Sequence, residues 1–464
     1  MAFNSVSFVF LFLPIVAGLY CLLSRIGRTN VLNILLIAFS LIFCWWGGKE
    51  CLNSVIVLIL FNFLICYLMR VTQGKFFLCV GVLCNLAFLA FFKYCISIPV
   101  VAKSFNVFIM PLGISFIVFH CISYLVDSYK ENALWLNTKQ EFINCCTYIL
   151  YFPKLIQGPI VKYTDFKKQI IDREFNINLC YEGIVRFIFG LSKKTLFADE
   201  LGSVVRQIQH CSNIDVATAW FAVFLYGLQL YIEFSAYSDM AIGVSKIFGF
   251  NINENFNFPY ASKSITEFWR RWHISLGAWF KEYVYIPLGG NRIGSVSFNI
   301  FIVFLLTGVW HGNTKAFIAW GLIHGLMIVL ERKYIVEWLS KLNTLGDFLG
   351  FLYTNLIVFI GWGCFRFDKI LGAKKYFKEL LGLQNSNIVF EFEYFLQPKI
   401  LFLICSVILW LLLVNDKKIV KIKQYLANKR EYECVKMVIV VLLFYCSIIS
   451  ILNKGYSPFI YFQF

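Results

Sequence analysis

Histidines are the first residues in this 464-residue sequence whose types and spacing suggest chemistry. His311 lies in Gly308-Val-Trp-His-Gly312, between two apolar runs. A neutral imidazole there could act as a general base and accept a proton from a hydroxyl nucleophile. The flanking glycines would permit close backbone approach. A hydrogen-bonded core histidine is the alternative.

His273 lies in a basic, tryptophan-rich segment, Phe268-Trp-Arg-Arg-Trp-His-Ile-Ser275. Arg270 and Arg271 offer paired donors for a phosphate or a carboxylate. The two tryptophans suit a membrane interface, so an interfacial anchor is the alternative function of this segment. His324 stands 13 residues beyond His311, and the sequence does not fix whether the two share a pocket.

Two acidic residues, Glu233 and Asp239, adjoin an apolar run. A carboxylate at membrane depth needs a partner, and we expect one such as Arg270, Arg271 or His273. A purely structural ion pair is the alternative to a catalytic role. No group of Cys and His residues has zinc-ligand spacing, so we predict no metal site.

The sequence ends in an aromatic tail, residues 455–464, with a phenol at Tyr461. A phenol that follows a membrane span can return to a cavity and accept an acyl group. Anchoring of the tail at the membrane surface by its aromatic rings is the alternative.

The composition indicates a protein dissolved in lipid. Hydrophobic residues make up 59% of the chain and charged residues only 15%, a balance that a soluble protein of this length cannot bury. The formal charge of +16 resides in short segments between apolar runs, which argues against nucleic-acid binding. The first 24 residues contain no Lys or Arg, so we expect the first helix to be retained.

Apolar runs recur along the whole chain, and about twelve are long enough to cross a bilayer. Basic residues alternate between the connecting loops, which predicts an N-terminus and a C-terminus on the outer side. The basic segment 366–399 conflicts with this pattern. The predicted spans are 8–24, 31–46, 52–69, 76–92, 106–126, 180–198, 217–235, 297–311, 316–331, 350–365, 400–414 and 436–453.

Two segments do not have the pattern of simple spans. These are Phe142–Pro159, with its prolines and glycine, and Glu233–Ile293, which is amphipathic and charged. Irregular backbone at membrane depth must be covered by protein or line a cavity, so we predict re-entrant or interfacial structure there. No linker divides the chain, which predicts one membrane domain over residues 1–464.

Several motifs together resemble the bacterial branch of the membrane-bound O-acyltransferases, which includes the membrane components of alginate and peptidoglycan O-acetylation. The most specific are Ser264-Ile-Thr-Glu-Phe-Trp-Arg-Arg-Trp-His-Ile-Ser-Leu276 and Tyr285-Ile-Pro-Leu-Gly-Gly-Asn-Arg292. The others are Pro111-Leu-Gly-Ile-Ser-Phe116, Phe152-Pro-Lys-Leu-Ile-Gln-Gly-Pro159, Tyr237-Ser-Asp-Met-Ala-Ile-Gly243, Gly308-Val-Trp-His-Gly312 and Tyr461-Phe-Gln-Phe464.

The resemblance implies an all-α bundle around a central tunnel, with re-entrant and interfacial helices. It implies that His311 is the catalytic histidine and that His273 is a second histidine on the cytoplasmic side of the tunnel. It also implies that Tyr461 belongs to a tethered acyl carrier. The donor would be acetyl-CoA, bound by the residues around His273, which are Trp269, Arg270, Arg271 and Trp272.

By the same resemblance, the acetyl group would cross the inner membrane to a periplasmic transferase of the SGNH type. That partner would then esterify an exported polysaccharide such as peptidoglycan or alginate. Two other functions remain open. A polytopic transporter or flippase would also have many spans and intramembrane charges. An inactive member would only recruit the partner, although both His311 and Tyr461 are present.

Overall fold

The structure is a computed structural model that describes residues 2–95, 111, 113–131, 137–211, 214–312, 314–366, 370–383, 391–415, 429–454 and 458–459. Every regular element of these residues is helical, and they contain no β-strand. The predicted all-α class is therefore confirmed. The chain forms two compact units, one of residues 1–187, 237–254 and 278–283, the other of residues 188–236, 255–277 and 284–464.

The helices follow one another along the chain with short connections. The α-helices are α1 (Leu13–Ser24), α2 (Thr29–Trp46), α3 (Lys49–Thr72), α4 (Lys75–Ala90), α5 (Ile114–Glu131), α6 (Thr138–Leu150), α7 (Phe152–Leu155), α8 (Tyr163–Ile171), α9 (Ile177–Ser192), α10 (Asp199–His210), α11 (Val216–Ile247), α12 (Ile265–Arg271), α13 (Ile274–Phe280), α14 (Val296–His311), α15 (Lys315–Leu330), α16 (Val336–Ser340), α17 (Asn343–Arg366), α18 (Ile370–Leu380), α19 (Phe392–Phe395), α20 (Pro398–Asn415) and α21 (Arg430–Lys454). Wider π-helical turns are Phe8–Phe12, Phe91–Cys95, Lys193–Ala198, Lys281–Tyr285 and Glu331–Ile335, and Pro259–Ala261 is a 3₁₀ turn.

Six helices of the described residues are long and apolar enough to cross a membrane, and three shorter ones are apolar. Each predicted span falls on a helix, although the helix of the fifth begins only at Ile114, and residues 106–110 and 112 of that span lie outside the described residues. The chain is thus a multi-pass membrane protein, while the number of crossings and their direction stay predictions. The six are Thr29–Trp46, Lys49–Thr72, Lys75–Cys95, Val216–Ile247, Asn343–Arg366 and Glu431–Asn453, and the shorter helices are Phe8–Ser24, Val296–His311 and Pro398–Leu409.

The first irregular segment, Phe142–Pro159, contains a helix that is interrupted at Tyr151. Helix α6 ends at Leu150, and Tyr151 adopts a non-helical conformation with φ −48° and ψ 102°. The four-residue helix α7 follows, with Pro153 in its first turn, where a missing N–H costs nothing. Residues 144–161 are buried, as irregular backbone in a membrane protein must be. The predicted interruption is confirmed, and its re-entrant path stays a prediction.

The prediction for the second irregular segment was partly wrong. Glu233 does not begin an irregular region, because helix α11 continues without interruption to Ile247. The polar side chains of this helix, Glu233 and Ser235 among them, are buried and hydrogen bonded, so they do not force the helix to end. Extended chain and short helices begin only at Phe248.

In the first unit, amide side chains join neighbouring helices. Asn62 of α3 and Asn85 of α4 donate to each other's carbonyl oxygens at 3.1 and 2.7 Å. Both residues are fully buried. A reciprocal amide pair satisfies polar groups that lipid and apolar side chains cannot, and it fixes the register of the two helices.

In the second unit, α14 and α15 form a hairpin that carries His311 at its turn. Gly308 and Gly321 face each other so closely that a Cβ on either glycine would lie 3.3 Å from the Cα of the other. A Cβ on Gly321 would also lie 2.6 Å from the carbonyl oxygen of Phe304. The two helices can therefore approach to this distance only with glycine at these positions, as in other small-residue contacts of membrane helices.

We expect Gly321→Val to destabilise this hairpin, because the new side chain must push the helices apart. The cost should be about 1–3 kcal/mol, the usual range for overpacking a tight contact. It is measured as a lower thermal melting temperature of the detergent-purified protein. Gly18→Val is the control, since nothing lies within 4 Å of a Cβ at Gly18. Equal melting temperatures for the two variants would contradict the proposed close packing.

Candidate active site

His311 is the last residue of α14 and lies inside the second unit. Its ring is enclosed by aromatic side chains, with centroids 4.6 Å from Trp310, 4.7 Å from Phe365 and 5.2 Å from Trp320. Only 6% of the residue is exposed. Helix α14 ends directly after it, at Gly312. The imidazole is thus held at a helix end in a largely apolar enclosure, where a general base is shielded from bulk water.

His324 of α15 lies against the same indole as His311. Its ring is 5.1 Å from Trp320 and 5.1 Å from Trp269. The residue is fully buried, and neither of its ring nitrogens has a hydrogen-bond partner among the described residues. The sequence left open whether the two histidines share surroundings. The hairpin brings both against Trp320, so His324 belongs to the candidate site.

His273 follows α12 and is buried in a strained position. Its φ is +45°, in the left-handed region that is costly for a residue with a side chain. Its Nδ1 lies 3.1 Å from Oδ1 of Asn255, and that oxygen also accepts from the Ser275 backbone N–H and hydroxyl. Burial lowers the pKa of His273 to about 3, so the ring is neutral at physiological pH.

The tryptophans and arginines beside His273 have different surroundings. Trp272 is 2% exposed and packs against Trp362 at 4.8 Å, while Trp269 contacts the ring of His324. Both indoles thus pack inside the unit. Arg270 is exposed, and the half-buried Arg271 pairs with Glu267 at 2.6 Å. Of the four predicted donor-binding residues, Arg270 therefore has the most accessible side chain, and their binding role stays a prediction.

Glu331, which the sequence analysis missed, fixes the start of α12. Its carboxylate is buried and accepts hydrogen bonds from the backbone N–H groups of Ile265 at 2.6 Å and Thr266 at 3.0 Å. The Tyr353 hydroxyl donates a third hydrogen bond to it. A carboxylate at a helix N-terminus satisfies donors that have no partner within the helix. A lone acid at the end of the apolar run 316–330 is the signal that could have identified it.

The acidic residues of α11 pair differently from the expectation. Glu233 binds the ammonium of Lys194 at 3.0 Å, and Asp239 binds Arg186 at 2.8 Å. The predicted partners Arg270, Arg271 and His273 lie on or directly after α12, with the contacts given above. The expectation was wrong because the sequence does not show which helix packs beside α11. It is α9 and its π-helical continuation that supply Arg186 and Lys194.

Tyr461, the predicted acyl acceptor, lies outside the described residues. The structure does describe Pro458 and Phe459 of the same tail. Phe459 is 1% exposed, and the Nζ atom of Lys194 lies 4.7 Å from its ring centroid. The tail therefore contacts the protein interior two residues before Tyr461.

We expect Glu331→Gln to weaken the region around His273, because an amide is a weaker acceptor for two N–H groups and the Tyr353 hydroxyl. Loss of a charged hydrogen-bond partner in a buried site costs about 1–3 kcal/mol. Hydrogen exchange of residues 262–276 should accelerate accordingly. Glu337→Gln is the control, since that side chain is 73% exposed. Unchanged exchange in Glu331→Gln would show that the carboxylate does not hold α12 in place.

Comparison with known proteins identifies the family of the chain. The family model described as the membrane-bound O-acyltransferase family (MBOAT) matches residues 50–367, which include His273, His311 and His324. The chain is 32% identical to a probable alginate O-acetylase of Pseudomonas putida over 511 aligned residues, which cover the whole of both chains.

More distant relatives carry related names. A peptidoglycan O-acetyltransferase of Helicobacter pylori is 29% identical, with 100% of this chain and 98% of the relative aligned. A teichoic acid D-alanyltransferase of Bacillus subtilis is 27% identical over 55% of this chain and 67% of its own length. With the helical membrane fold and the buried histidine pair, these matches lead to one conclusion: the chain belongs to the membrane-bound O-acyltransferase family and is an O-acyltransferase.

Proposed function

We propose that this protein is an inner-membrane O-acetyltransferase that passes acetyl groups from cytoplasmic acetyl-CoA to an envelope polysaccharide through a periplasmic partner. The observation that carries the proposal is the enclosure of His311. Its ring lies at a helix end among aromatic side chains, within the part of the chain that matches the family model. An imidazole in such an enclosure has a defined orientation and can act repeatedly as a base.

The donor would approach from the side on which the basic loops lie, which the positive-inside rule assigns to the cytoplasm. Arg270, with its exposed guanidinium, is our first candidate to bind a phosphate of acetyl-CoA. Arg271 would contribute once it leaves its pair with Glu267. Trp269 and Trp272, which pack inside the unit, would position these arginines rather than touch the donor.

His311 would remove the proton from an acceptor hydroxyl, for which the Tyr461 phenol is our candidate. The phenolate oxygen then attacks the thioester carbonyl, the C–S bond breaks, and the departing thiolate of CoA takes up the proton. The products are a phenolic acetyl ester and free CoA. Tethering of the acceptor raises its effective concentration at the reacting carbonyl. A phenolic ester is also labile enough to give its acetyl group to a second acceptor.

That second acceptor would be a serine of a separate SGNH-type transferase in the periplasm, with both termini of this chain on the same side. The relatives support a polymer as the final acceptor. Their names specify alginate, peptidoglycan and teichoic acid, which are all components or products of the bacterial envelope. Alginate and peptidoglycan are our two leading candidates, because the relatives aligned over the whole chain carry those names.

The test is transfer of radiolabelled acetyl from acetyl-CoA by the purified protein with its partner. We expect His311→Ala to reduce transfer by about 10²–10⁴-fold, the usual contribution of a general base. Tyr461→Phe should also abolish transfer to the partner, and mass spectrometry should find acetyl on Tyr461 of the unaltered chain.

Matched controls exist for both substitutions. His210→Ala removes an exposed histidine, and Tyr445→Phe removes an exposed phenol on α21. Both should retain activity. Loss of acetyl transfer in His311→Ala but not in Tyr461→Phe would support the enzymatic activity and contradict the role of Tyr461 as acyl acceptor. Absence of transfer from any acyl-CoA would favour a transporter or flippase instead.

A further inference from the structure

A buried charged cluster lies where the tail returns to the second unit. Lys194, in the π-helical turn after α9, is 1% exposed and binds Asp199 at 2.7 Å and Glu233 at 3.0 Å. Gln229 donates to the other oxygen of Glu233 at 3.4 Å. Lys194 and Glu233 are buried, and Asp199 is 14% exposed. Burial of ionisable groups is costly even when they are paired, so such a cluster is a weak means of stabilising a fold. The cluster also makes a contact that indicates a function.

The contact is with the chain's own C-terminal tail. The Lys194 ammonium lies 4.7 Å from the ring centroid of Phe459, close enough for a cation–π interaction. Phe459 is 1% exposed, so the tail at this point is inserted into the protein. The two carboxylates keep the ammonium fixed in place, where it can attract the face of an aromatic ring.

Helix α21, which precedes the tail, is hydrogen bonded to residues beside Lys194. Ser447 of α21 donates to the hydroxyl of Ser192 at 3.1 Å, and Ser450 donates to the backbone carbonyl of Thr195 at 3.1 Å. Both partners lie within two residues of Lys194. The chain thus contacts one short stretch of α9 and its π-helical continuation twice, once through α21 and again through Phe459.

The π-helical turn Lys193–Ala198 is one of five such turns among the described residues, and it contacts both the tail and α21. Wide turns of this kind occur frequently at functional sites. This turn is Lys193-Lys-Thr-Leu-Phe-Ala198, and it contains both Lys194 and the carbonyl of Thr195 that accepts from α21.

We propose that Lys194, Asp199 and Glu233 form the docking site of the C-terminal tail, with Phe459 as the docked side chain. Docking holds the tail at Phe459, and Tyr461 follows two residues farther along the sequence. Two residues of extended chain span at most about 7 Å, so docking of Phe459 restricts the volume that Tyr461 can occupy. The role for Tyr461 rests on the function proposed above, whereas the docking of Phe459 does not.

The docking is tested by hydrogen exchange of the C-terminal peptide in the full-length, detergent-purified protein. We expect Lys194→Met to accelerate exchange of the tail amides about tenfold. Phe459→Leu should do the same, because leucine keeps bulk but has no aromatic face. Lys194→Arg retains the cation and should restore most of the protection. Lys193→Met is the control, since it removes a charge from the adjacent position.

Phe459→Leu distinguishes loss of docking from general misfolding, because the substitution changes a side chain of the tail and leaves the buried ion pairs intact. Exchange in α11 should stay the same in this variant. The docking site would be contradicted if the tail amides exchanged at the same rate in three proteins: the unaltered chain, Lys194→Met and Phe459→Leu.

Acetylation of Tyr461 is measured in parallel. If docking is confirmed and acetyl is found, Phe459→Leu should lower the acetylated fraction about tenfold, and Lys194→Arg should retain it. If protection of the tail from hydrogen exchange depends on Lys194 but no acetyl is found on Tyr461, the docking site is supported and the tyrosine relay is contradicted. If acetyl is found on Tyr461 but the rate of hydrogen exchange in the tail is the same in the unaltered chain and in Lys194→Met, the tyrosine relay is supported and the docking site is contradicted.

Discussion

Polar groups inside the second unit are costly unless they find partners within the protein, because neither lipid nor packed aromatic rings can accept or donate a conventional hydrogen bond. Three side chains meet this constraint in ways that shape the unit. The Glu331 side chain accepts the N–H groups at the start of α12, and the Asn255 side chain accepts the N–H of Ser275, two residues after His273. Lys194 joins two carboxylates across α10 and α11. The contacts Ile265–Glu331 and Lys194–Glu233 join residues 66 and 39 positions apart in the sequence, so they help to fix the arrangement of helices around the candidate site.

The aromatic side chains have the complementary role of packing around His311 and His324. Trp320 contacts both His311 and His324, and Trp269 contacts His324 from the segment that holds the arginines. The close contact of Gly308 with Gly321 makes the hairpin narrow enough for one indole to reach both imidazoles. The rings of Trp269, His324 and Trp320 thereby form a continuous series of contacts from the basic segment to His311. Such an arrangement suits a transferase that must keep its reacting groups away from water.

The sequence predicted the helices well and their contacts poorly. Long apolar runs must be helices in a membrane, so the described part of each predicted span falls largely on a helix. The helix α11 was expected to break at Glu233, but a buried carboxylate can stay in a helix when a lysine from another helix pairs with it. The choice of Lys194 rather than Arg271 depends on which helices pack together, and hydropathy carries no information on that. Whether His311 and His324 share surroundings was open for the same reason, although Gly-x-x-His occurs at both positions and indicates a close helix contact.

The proposed function requires that the acyl group crosses the membrane through this chain. A direct measurement uses sealed liposomes that contain the protein in one orientation, with radiolabelled acetyl-CoA on one side only and the periplasmic partner on the other. We expect the partner to become labelled when the donor faces the basic loops, and to stay unlabelled when donor and partner share the opposite side. Labelling only when donor and partner are on the same side of the bilayer would contradict transfer across the membrane.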